Sequence, residues 1–207
     1  MIRRLKIKVC GMRDRTNISA VATLQPDWMG FIFYRPSPRF IGDDFIVPAL
    51  EKISKVGVFV DASEEEILEK YLKNHLDMIQ LHGRESPAYC QNLIQKGLTL
   101  IKVFGIDERF SFEQAKEYES TCRYFLFDTK TPSHGGSGKK FTWKKLFEYG
   151  LKIPFLLSGG IGPEDVDFIS TCSHPQLFGI DLNSRFEISP GAKNVTSLST
   201  FIEKIRS

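Results

Sequence analysis

Short apolar runs of strand length alternate with amphipathic segments of helical length from one end of the chain to the other. The runs are continuously apolar, which is typical of strands that are buried on both faces of a parallel sheet. The pattern predicts eight strands, over residues 5–9, 28–33, 55–60, 78–81, 99–104, 124–127, 154–157 and 177–180.

An amphipathic segment follows each predicted strand. These segments predict helices over residues 15–24, 45–52, 64–73, 87–96, 112–120, 143–149, 163–172 and 195–205. The third helix has the clearest start signals, because Ser63 is a suitable N-cap and Glu64, Glu65 and Glu66 follow it. Their negative charges suit the positive end of the helix dipole.

Parallel strands that are each followed by a helix form either a closed barrel or a doubly wound open sheet. Eight such units in 207 residues fit one (β/α)₈ TIM barrel, an α/β fold that we expect to span residues 1–207 as a single domain. The doubly wound sheet is the alternative. Against it, the segment Cys10-Gly11-Met12-Arg13-Asp14 lacks the G-x-G-x-x-G fingerprint, and the chain contains no P-loop.

The composition narrows the possible partners. Hydrophobic residues make up 42% of the chain and charged residues 26%, as in an ordinary globular domain. The net charge of +3 is too small to indicate a nucleic-acid partner. The chain has no apolar stretch of about 18 residues and no secretory signal, so we expect a cytoplasmic protein without a membrane partner.

The four cysteines are scattered, without a C-x-x-C pair or clustered histidines. We therefore expect neither disulfides nor a metal site. Cys90, Cys122 and Cys172 lie in or beside predicted helices and are interpreted as small core residues. Cys10 differs, because it stands where the first predicted strand ends.

Active sites of such barrels lie at the C-terminal ends of the strands, so the residues that end each apolar run are the informative ones. Cys10 ends the first run, Asp128 the sixth and Asp181 the eighth. The strand period of two places each of them on the barrel-axis face. A candidate base, Cys10, and a candidate acid, Asp128, therefore predict proton-transfer chemistry at one mouth of the barrel.

Two further segments suggest an anion site after strands seven and eight. Ser158-Gly159-Gly160-Ile161-Gly162 lets the backbone approach a phosphate and precedes a predicted helix. A plain tight turn is the alternative interpretation. Asp181-Leu182-Asn183-Ser184-Arg185 is suited to close the other side of the site through its amides and hydroxyl.

Taken together, these motifs resemble the phosphoribosylanthranilate isomerase family, in the family's order and over essentially the whole chain. The blocks that carry the resemblance are Lys8-Val9-Cys10-Gly11-Met12, Gly30-Phe31-Ile32-Phe33-Tyr34 with Ser37-Pro38-Arg39-Phe40, Gln80-Leu81-His82-Gly83, Phe127-Asp128-Thr129-Lys130, Gly135-Gly136-Ser137-Gly138 and Leu157-Ser158-Gly159-Gly160.

The resemblance implies the Amadori rearrangement of N-(5-phosphoribosyl)anthranilate in tryptophan biosynthesis, without a metal or another cofactor. It implies that Asp128 is the general acid and Cys10 the general base. A thiol with an ordinary pKa is mostly neutral at pH 7, so we expect Lys8, on the same strand face, to supply positive charge to Cys10.

The resemblance also implies the groups that bind the substrate. Arg39 pairs with the anthranilate carboxylate, as the fork of a guanidinium favours, and Phe40 is suited to meet the ring. Asp181 accepts from the anthranilate nitrogen, and His82 lines the pocket. The phosphate ligands that it implies are Gly159, Gly160, Asn183 and Ser184.

The chain departs from the family pattern after Asp181. The family usually has Ser-Ser-Gly-Val-Glu there, whereas this chain has Asn183-Ser184-Arg185-Phe186-Glu187. The lost glycine alters the expected phosphate cup, because other residues tolerate positive φ poorly. We expect Arg185 to compensate by adding a charge to the phosphate.

The segment 131–138 has the glycine content of a mobile lid, with His134 as a surface residue.

We expect a monomer that acts on a small-molecule substrate. Two alternatives remain: a related phosphosugar barrel enzyme such as indole-glycerol-phosphate synthase, which the Cys10 and Asp128 pair disfavours, and a catalytically silent phosphate-binding barrel.

Overall fold

The computed structural model describes residues 4–129 and 143–207. It contains eight parallel strands that hydrogen-bond in chain order and close into a barrel through the pairing of the first with the last. The strands are β1 (Lys6–Val9), β2 (Trp28–Ile32), β3 (Ser54–Phe59), β4 (Met78–Leu81), β5 (Leu100–Ile106), β6 (Tyr124–Thr129), β7 (Phe155–Leu157) and β8 (Leu177–Leu182). The predicted (β/α)₈ barrel is confirmed, and each predicted strand overlaps one of these.

Helical segments follow most strands. The α-helices are α1 (Arg15–Ala22), α2 (Glu64–Asn74), α3 (Pro87–Gln95), α4 (Glu113–Lys116), α5 (Val166–Thr171) and α6 (Val195–Arg206). Short 3₁₀ helices span Trp143–Glu148, Pro163–Asp165 and Ser184–Phe186. After the last of them, β9 (Glu187–Ser189) and β10 (Ala192–Lys193) form an antiparallel hairpin beside the barrel mouth.

The helix predicted over residues 45–52 is wrong, because the connection from β2 to β3 has no helix at these positions. Pro48 lies in the middle of the segment. Proline removes a backbone donor and disfavours the helical conformation for Val47, the residue before it. The Val47 amide instead donates to Asn74 Oδ1 at 2.9 Å, so an asparagine of α2 replaces the missing intrahelical acceptor.

The start of α2 is as predicted. Ser63 is the N-cap, and its hydroxyl accepts a hydrogen bond from the Glu66 amide at 3.2 Å. Glu64, Glu65 and Glu66 lie in the first turn. The cap and the charges favour the same starting residue, which explains why the sequence located this helix end well.

Apolar side chains form three clusters, of which the smallest contains Cys10, Ile32 and Val58. One large cluster packs the outside of the barrel against the helices, and a smaller one fills the lower barrel interior. At the bottom, the Tyr124 ring lies 5.1 Å from the Trp28 ring and 4.8 Å from the Phe178 ring. These rings pack across the N-terminal end of the barrel interior, opposite the end at which active sites of such barrels lie.

The predicted core cysteines Cys90 and Cys122 are buried, and Cys172 is half-buried against the same core. Within residues 4–129 and 143–207, no helix combines the length and the apolar character that a membrane crossing requires.

Candidate active site

A cavity of about 460 Å³ opens at the C-terminal ends of the strands. It brings together most of the residues that the sequence predicted for the site, but neither Phe40 nor Arg185. Its lining includes Cys10, Arg39, His82, Asp128, Gly159, Gly160, Asp181, Asn183 and Ser184. The remaining lining is largely apolar, from residues such as Ile32, Val58 and Ile161.

A buried ion pair joins β1 to β8 at the floor of this cavity. Lys8 and Asp181 are register partners, and Lys8 Nζ lies 2.9 Å from Asp181 Oδ1. Ser158 Oγ donates to the other carboxylate oxygen at 3.4 Å. Burial opposes the charge of Lys8, but Asp181 and Cys10 outweigh it, and the pKa of the ammonium is raised. Lys8 therefore remains a cation.

Cys10 follows β1, and its amide donates to Leu182 O of β8 at 2.9 Å. A Cβ on Gly30 of the neighbouring strand would lie 2.6 Å from Cys10 Sγ and 3.2 Å from Lys8 Nζ. Gly30 thus makes the space in which the thiol and the ammonium lie side by side. No larger residue fits at that position without displacing one of them.

Burial raises the pKa of the Cys10 thiol above its ordinary value. Lys8 opposes this effect through its charge and a hydrogen bond, and Lys193 adds a second, weaker positive contribution. The predicted support from Lys8 is therefore present but does not outweigh burial. Cys10 is a protonated thiol at neutral pH.

Asp128 lies near the end of β6 and is 8% exposed. Burial, followed by the negative charge of Asp181, raises the pKa of its carboxyl to about 7. Its Oδ1 accepts from the Thr129 amide at 2.8 Å, and its Oδ2 lies 3.7 Å from His82 Nε2. A carboxyl with this pKa keeps a protonated fraction near neutral pH, which suits it to proton donation.

Arg39 reaches the cavity from the loop after β2 and is held by Glu187 of β9. Arg39 Nε lies 2.9 Å from Oε1 and 3.1 Å from Oε2, and Nη2 lies 2.6 Å from Oε2. Both side chains are buried. The carboxylate faces the Nε and Nη2 side of the guanidinium, so the Nη1 end makes none of these hydrogen bonds.

The same carboxylate binds a second buried cation. Lys193 Nζ lies 2.5 Å from Glu187 Oε1 and 2.7 Å from Asn183 Oδ1. Burial would raise the pKa of Glu187, but Arg39 and Lys193 outweigh it and lower the pKa. Burial also lowers the pKa of Lys193, against the attraction of Glu187. Asn183, predicted as a phosphate ligand, is thus fixed through its side chain by β10.

The glycine turn after β7 has the backbone that only glycine adopts readily. Gly159 and Gly160 have φ of +88° and +73°. A Cβ on Gly159 would also collide with Thr129, 2.5 Å from its amide nitrogen, and would lie 3.0 Å from Asp128 Oδ1. The turn therefore packs directly against the strand end that holds the candidate acid.

Arg185 forms an ion pair with Glu164 and does not reach the phosphate site for which we expected it. Its Nη2 lies 2.8 Å from Glu164 Oε1, and the two side chains are about half exposed. Arg185 is not among the described residues that line the cavity. The positive charge of Arg185, which we expected to bind the phosphate, is thus paired with a carboxylate outside the cavity.

Several site residues escaped the sequence reasoning. Tyr34 lines the cavity, whereas Phe40 does not. Tyr34 stands two residues after Ile32, so extending the strand period of two would have found it. The same rule, applied backwards from His82, finds Gln80, which also lines the cavity. Glu187 and Lys193 lie beyond the last barrel strand, where no periodicity indicates their position.

The glycine-rich segment 131–138, with its predicted lid and His134, lies outside the described residues. Among residues 4–129 and 143–207, no group of three or more His, Cys, Asp or Glu side chains is arranged to hold a metal ion.

A closed parallel barrel with a thiol, a carboxyl of raised pKa and a glycine turn around one cavity defines a (β/α)₈-barrel enzyme that acts on a small molecule. The family model of N-(5'-phosphoribosyl)anthranilate (PRA) isomerase matches residues 7–204. An N-(5'-phosphoribosyl)anthranilate isomerase of Parabacteroides distasonis is 48% identical over 204 residues, which cover 96% of this chain and 92% of that protein.

Solved structures agree with this match. The crystal structure of a phosphoribosyl anthranilate isomerase from Thermotoga maritima is 30% identical, covers 97% of this chain and 98% of its own, and gives a TM-score of 0.82. Another, in complex with reduced 1-(o-carboxyphenylamino)-1-deoxyribulose 5-phosphate, is 26% identical with a TM-score of 0.77 and the same coverage. The chain belongs to the N-(5'-phosphoribosyl)anthranilate isomerase family. It is an isomerase of tryptophan biosynthesis, as the resemblance implied.

Proposed function

We propose that the chain catalyses the Amadori rearrangement of N-(5-phosphoribosyl)anthranilate, with Asp128 as general acid and Cys10 as general base. The product is 1-(2-carboxyphenylamino)-1-deoxyribulose 5-phosphate. The observation that carries the proposal is the raised pKa of Asp128, about 7, in a cavity that it shares with the Cys10 thiol. A carboxyl and a thiol in one cavity supply the two proton transfers that the reaction requires.

The first proton transfer opens the sugar ring. Asp128 gives its proton to the ring oxygen, the bond from that oxygen to C1 breaks, and the nitrogen lone pair forms the C1–N double bond of an iminium. The ring oxygen becomes a hydroxyl, and Asp128 becomes a carboxylate. The pKa of about 7 favours this step, because a carboxyl with an ordinary pKa is almost fully ionised at neutral pH.

The second proton transfer takes the proton from C2. Cys10 accepts it as the thiolate, whose own proton has passed to water beforehand; the C2–H electrons form the C1–C2 double bond, and the iminium nitrogen becomes neutral. The resulting enolamine tautomerises to the ketone. Burial raises the pKa of Cys10, and the positive charge of the iminium opposes that effect, as Lys8 does. The thiolate thus forms most readily when the proton is to be removed.

Arg39 binds the anthranilate carboxylate in this proposal. Arg39 and Lys193 carry two positive charges, and Glu187 neutralises only one of them. A substrate carboxylate therefore supplies the missing negative charge. The Nη1 end of Arg39, which makes no hydrogen bond to Glu187, is the part of the guanidinium left for it.

The phosphate binds at the glycine turn after β7 in this proposal. Gly159 and Gly160 offer a backbone that approaches an anion closely, and Asn183 and Ser184 also line the cavity. Asp181 accepts from the anthranilate nitrogen. Its carboxylate is oriented for this by Lys8 on one oxygen and Ser158 on the other.

The test is isomerase turnover on freshly generated phosphoribosylanthranilate, followed by the loss of its fluorescence. The proposal expects turnover by the unmodified protein without added metal. A folded protein that binds the reduced product analogue and turns nothing over would contradict the proposal and would support the silent phosphate-binding barrel instead.

A further inference from the structure

Gln80 has a buried polar atom for which the described part of the chain offers no hydrogen-bond partner. It belongs to β4, is 1% exposed and contributes to the cavity lining. Its side-chain oxygen Oε1 has no hydrogen-bond partner among the described residues. Leaving a buried acceptor unpaired costs free energy, so proteins rarely retain one without a use.

The neighbouring strands cannot satisfy this oxygen. The register partners of Gln80 are Val58 on β3 and Ile101 on β5, and both are buried and apolar. Hydrocarbon side chains offer no donor. The oxygen itself is shielded from water, and the cavity that Gln80 lines is the side from which a donor can approach its amide.

The position of Gln80 indicates which part of a ligand it meets. His82 follows two residues later on the same strand face, and its Nε2 lies 3.7 Å from Asp128 Oδ2. Gln80 thus lies below the candidate acid, on the side of the cavity where the sugar ring opens in the proposed reaction. The phosphate and the carboxylate are acceptors and have no proton to donate to Oε1.

We propose that Gln80 accepts a hydrogen bond from a hydroxyl of the substrate's sugar chain and so selects for a hydroxylated ligand. This inference rests on the proposed function, because it takes the orientation of the sugar from the role of Asp128. The hydroxyl is the neutral donor that the substrate has in this region. The anthranilate N–H is the other donor, and it faces Asp181.

The test compares two ligands in the parent and in Gln80→Leu, which has a similar volume and no acceptor. One ligand is the reduced product analogue, and the other is an N-(5-phosphopentyl)anthranilate that lacks every chain hydroxyl. The variant should bind the hydroxylated analogue about tenfold more weakly, with little change for the hydroxyl-free one. Ile32→Val, which trims the apolar lining, is the control and should not discriminate between the two ligands.

Thermal stability separates a binding role from a structural one. Gln80→Leu removes no hydrogen bond made by Oε1, so its unfolding midpoint should equal or exceed that of the parent. Should Gln80→Leu fail to fold, Gln80→Met serves the same comparison. An equal loss for both ligands, or a lower midpoint with a proportional loss of binding, would overturn the inference.

The experiments distinguish a failure of the proposed function from a failure of the inference about Gln80. Without turnover by the parent, the proposed function fails, while the ligand comparison still reports on Gln80. With turnover by the parent and no discrimination by the variant, the inference about Gln80 alone fails.

Discussion

Arg39 and Glu187 form a buried ion pair in which Nη2 lies 2.6 Å from Oε2. Because Lys193 shares the same carboxylate, this cluster has one positive charge in excess while Lys193 is protonated, and burial and Arg39 lower the pKa of Lys193 accordingly. A buried excess charge is unfavourable unless an anion enters to compensate it. The pair therefore orients Arg39 and at the same time leaves the cluster complementary to a carboxylate substrate.

Glu187→Gln should lower the free energy of unfolding by about 3 kcal/mol, because it leaves two buried cations without their carboxylate. The reduced product analogue should stabilise this variant more than it stabilises the parent, since the ligand carboxylate supplies the missing charge. Urea unfolding with and without the analogue measures both effects.

Glu164→Gln is the matched control for this experiment, because it breaks the half-exposed pair with Arg185. It should cost less than about 1 kcal/mol. Equal costs for Glu187→Gln and Glu164→Gln would contradict the account of the buried cluster.

Lys8→Met should slow the alkylation of Cys10 by iodoacetamide at pH 8 by about tenfold. Burial raises the pKa of Cys10 and Lys8 opposes it, so removing the ammonium lowers the thiolate fraction further. Mass spectrometry of the Cys10 peptide gives the rate. Lys55→Met, which removes another buried lysine bonded to Asn74 O, is the control. A rate unchanged by Lys8→Met counts against the role of Lys8.

Asp128→Asn should stabilise the protein, and by about 2–3 kcal/mol more at pH 8 than at pH 5. The pKa of Asp128 rises on folding to about 7. The folded protein therefore holds this proton more tightly than the unfolded chain does, and the parent loses stability as the pH rises from about 4 to 7. Urea unfolding at both pH values tests this. A gain independent of pH would show that Asp128 does not titrate as proposed.

Gly159→Ala should reduce both stability and turnover, with turnover falling at least tenfold. The substitution strains a positive φ and drives a methyl group into Thr129, which displaces Asp128. Gly97→Ala isolates the backbone contribution. Gly97 has φ of +84°, and, its chain neighbours aside, no heavy atom of the described residues lies within 4 Å of the added methyl carbon. It should cost about 1 kcal/mol and leave turnover unchanged. Similar turnover losses in both variants would contradict the proposed contact.

The sequence predicted the barrel because continuously apolar strands at regular spacing have few alternative arrangements. It also predicted the cavity lining, since parallel strands bring all their C-terminal ends to one mouth. Residues such as Cys10 and Asp128 could thus be assigned to a common site although they are far apart in the chain. The helix predicted over residues 45–52 is absent, because Pro48 disfavours a helix although the apolar pattern favours one.

Other features depend on tertiary structure and leave no periodic signal. The ion pairs of Glu187 with Arg39 and Lys193 arise from the way in which the chain after β8 turns back over the mouth. The raised pKa of Cys10 depends on how completely it is buried, which the sequence does not encode locally.

The most direct test of the acid–base assignment is the pH dependence of kcat/KM for the parent, Asp128→Asn and Cys10→Ser. With Asp128 protonated and Cys10 ionised in the active form, kcat/KM of the parent should rise about tenfold per pH unit up to about pH 7 and then level off. Cys10→Ser should lose at least about a hundredfold in rate.

The Asp128→Asn variant shows whether the break near pH 7 belongs to Asp128 or to another group. The residual kcat/KM of Asp128→Asn should continue to rise through pH 7, because the group responsible for the break has gone. A break near pH 7 that persists in Asp128→Asn would assign it to another group, such as the substrate phosphate, and would contradict the role of Asp128 as the general acid.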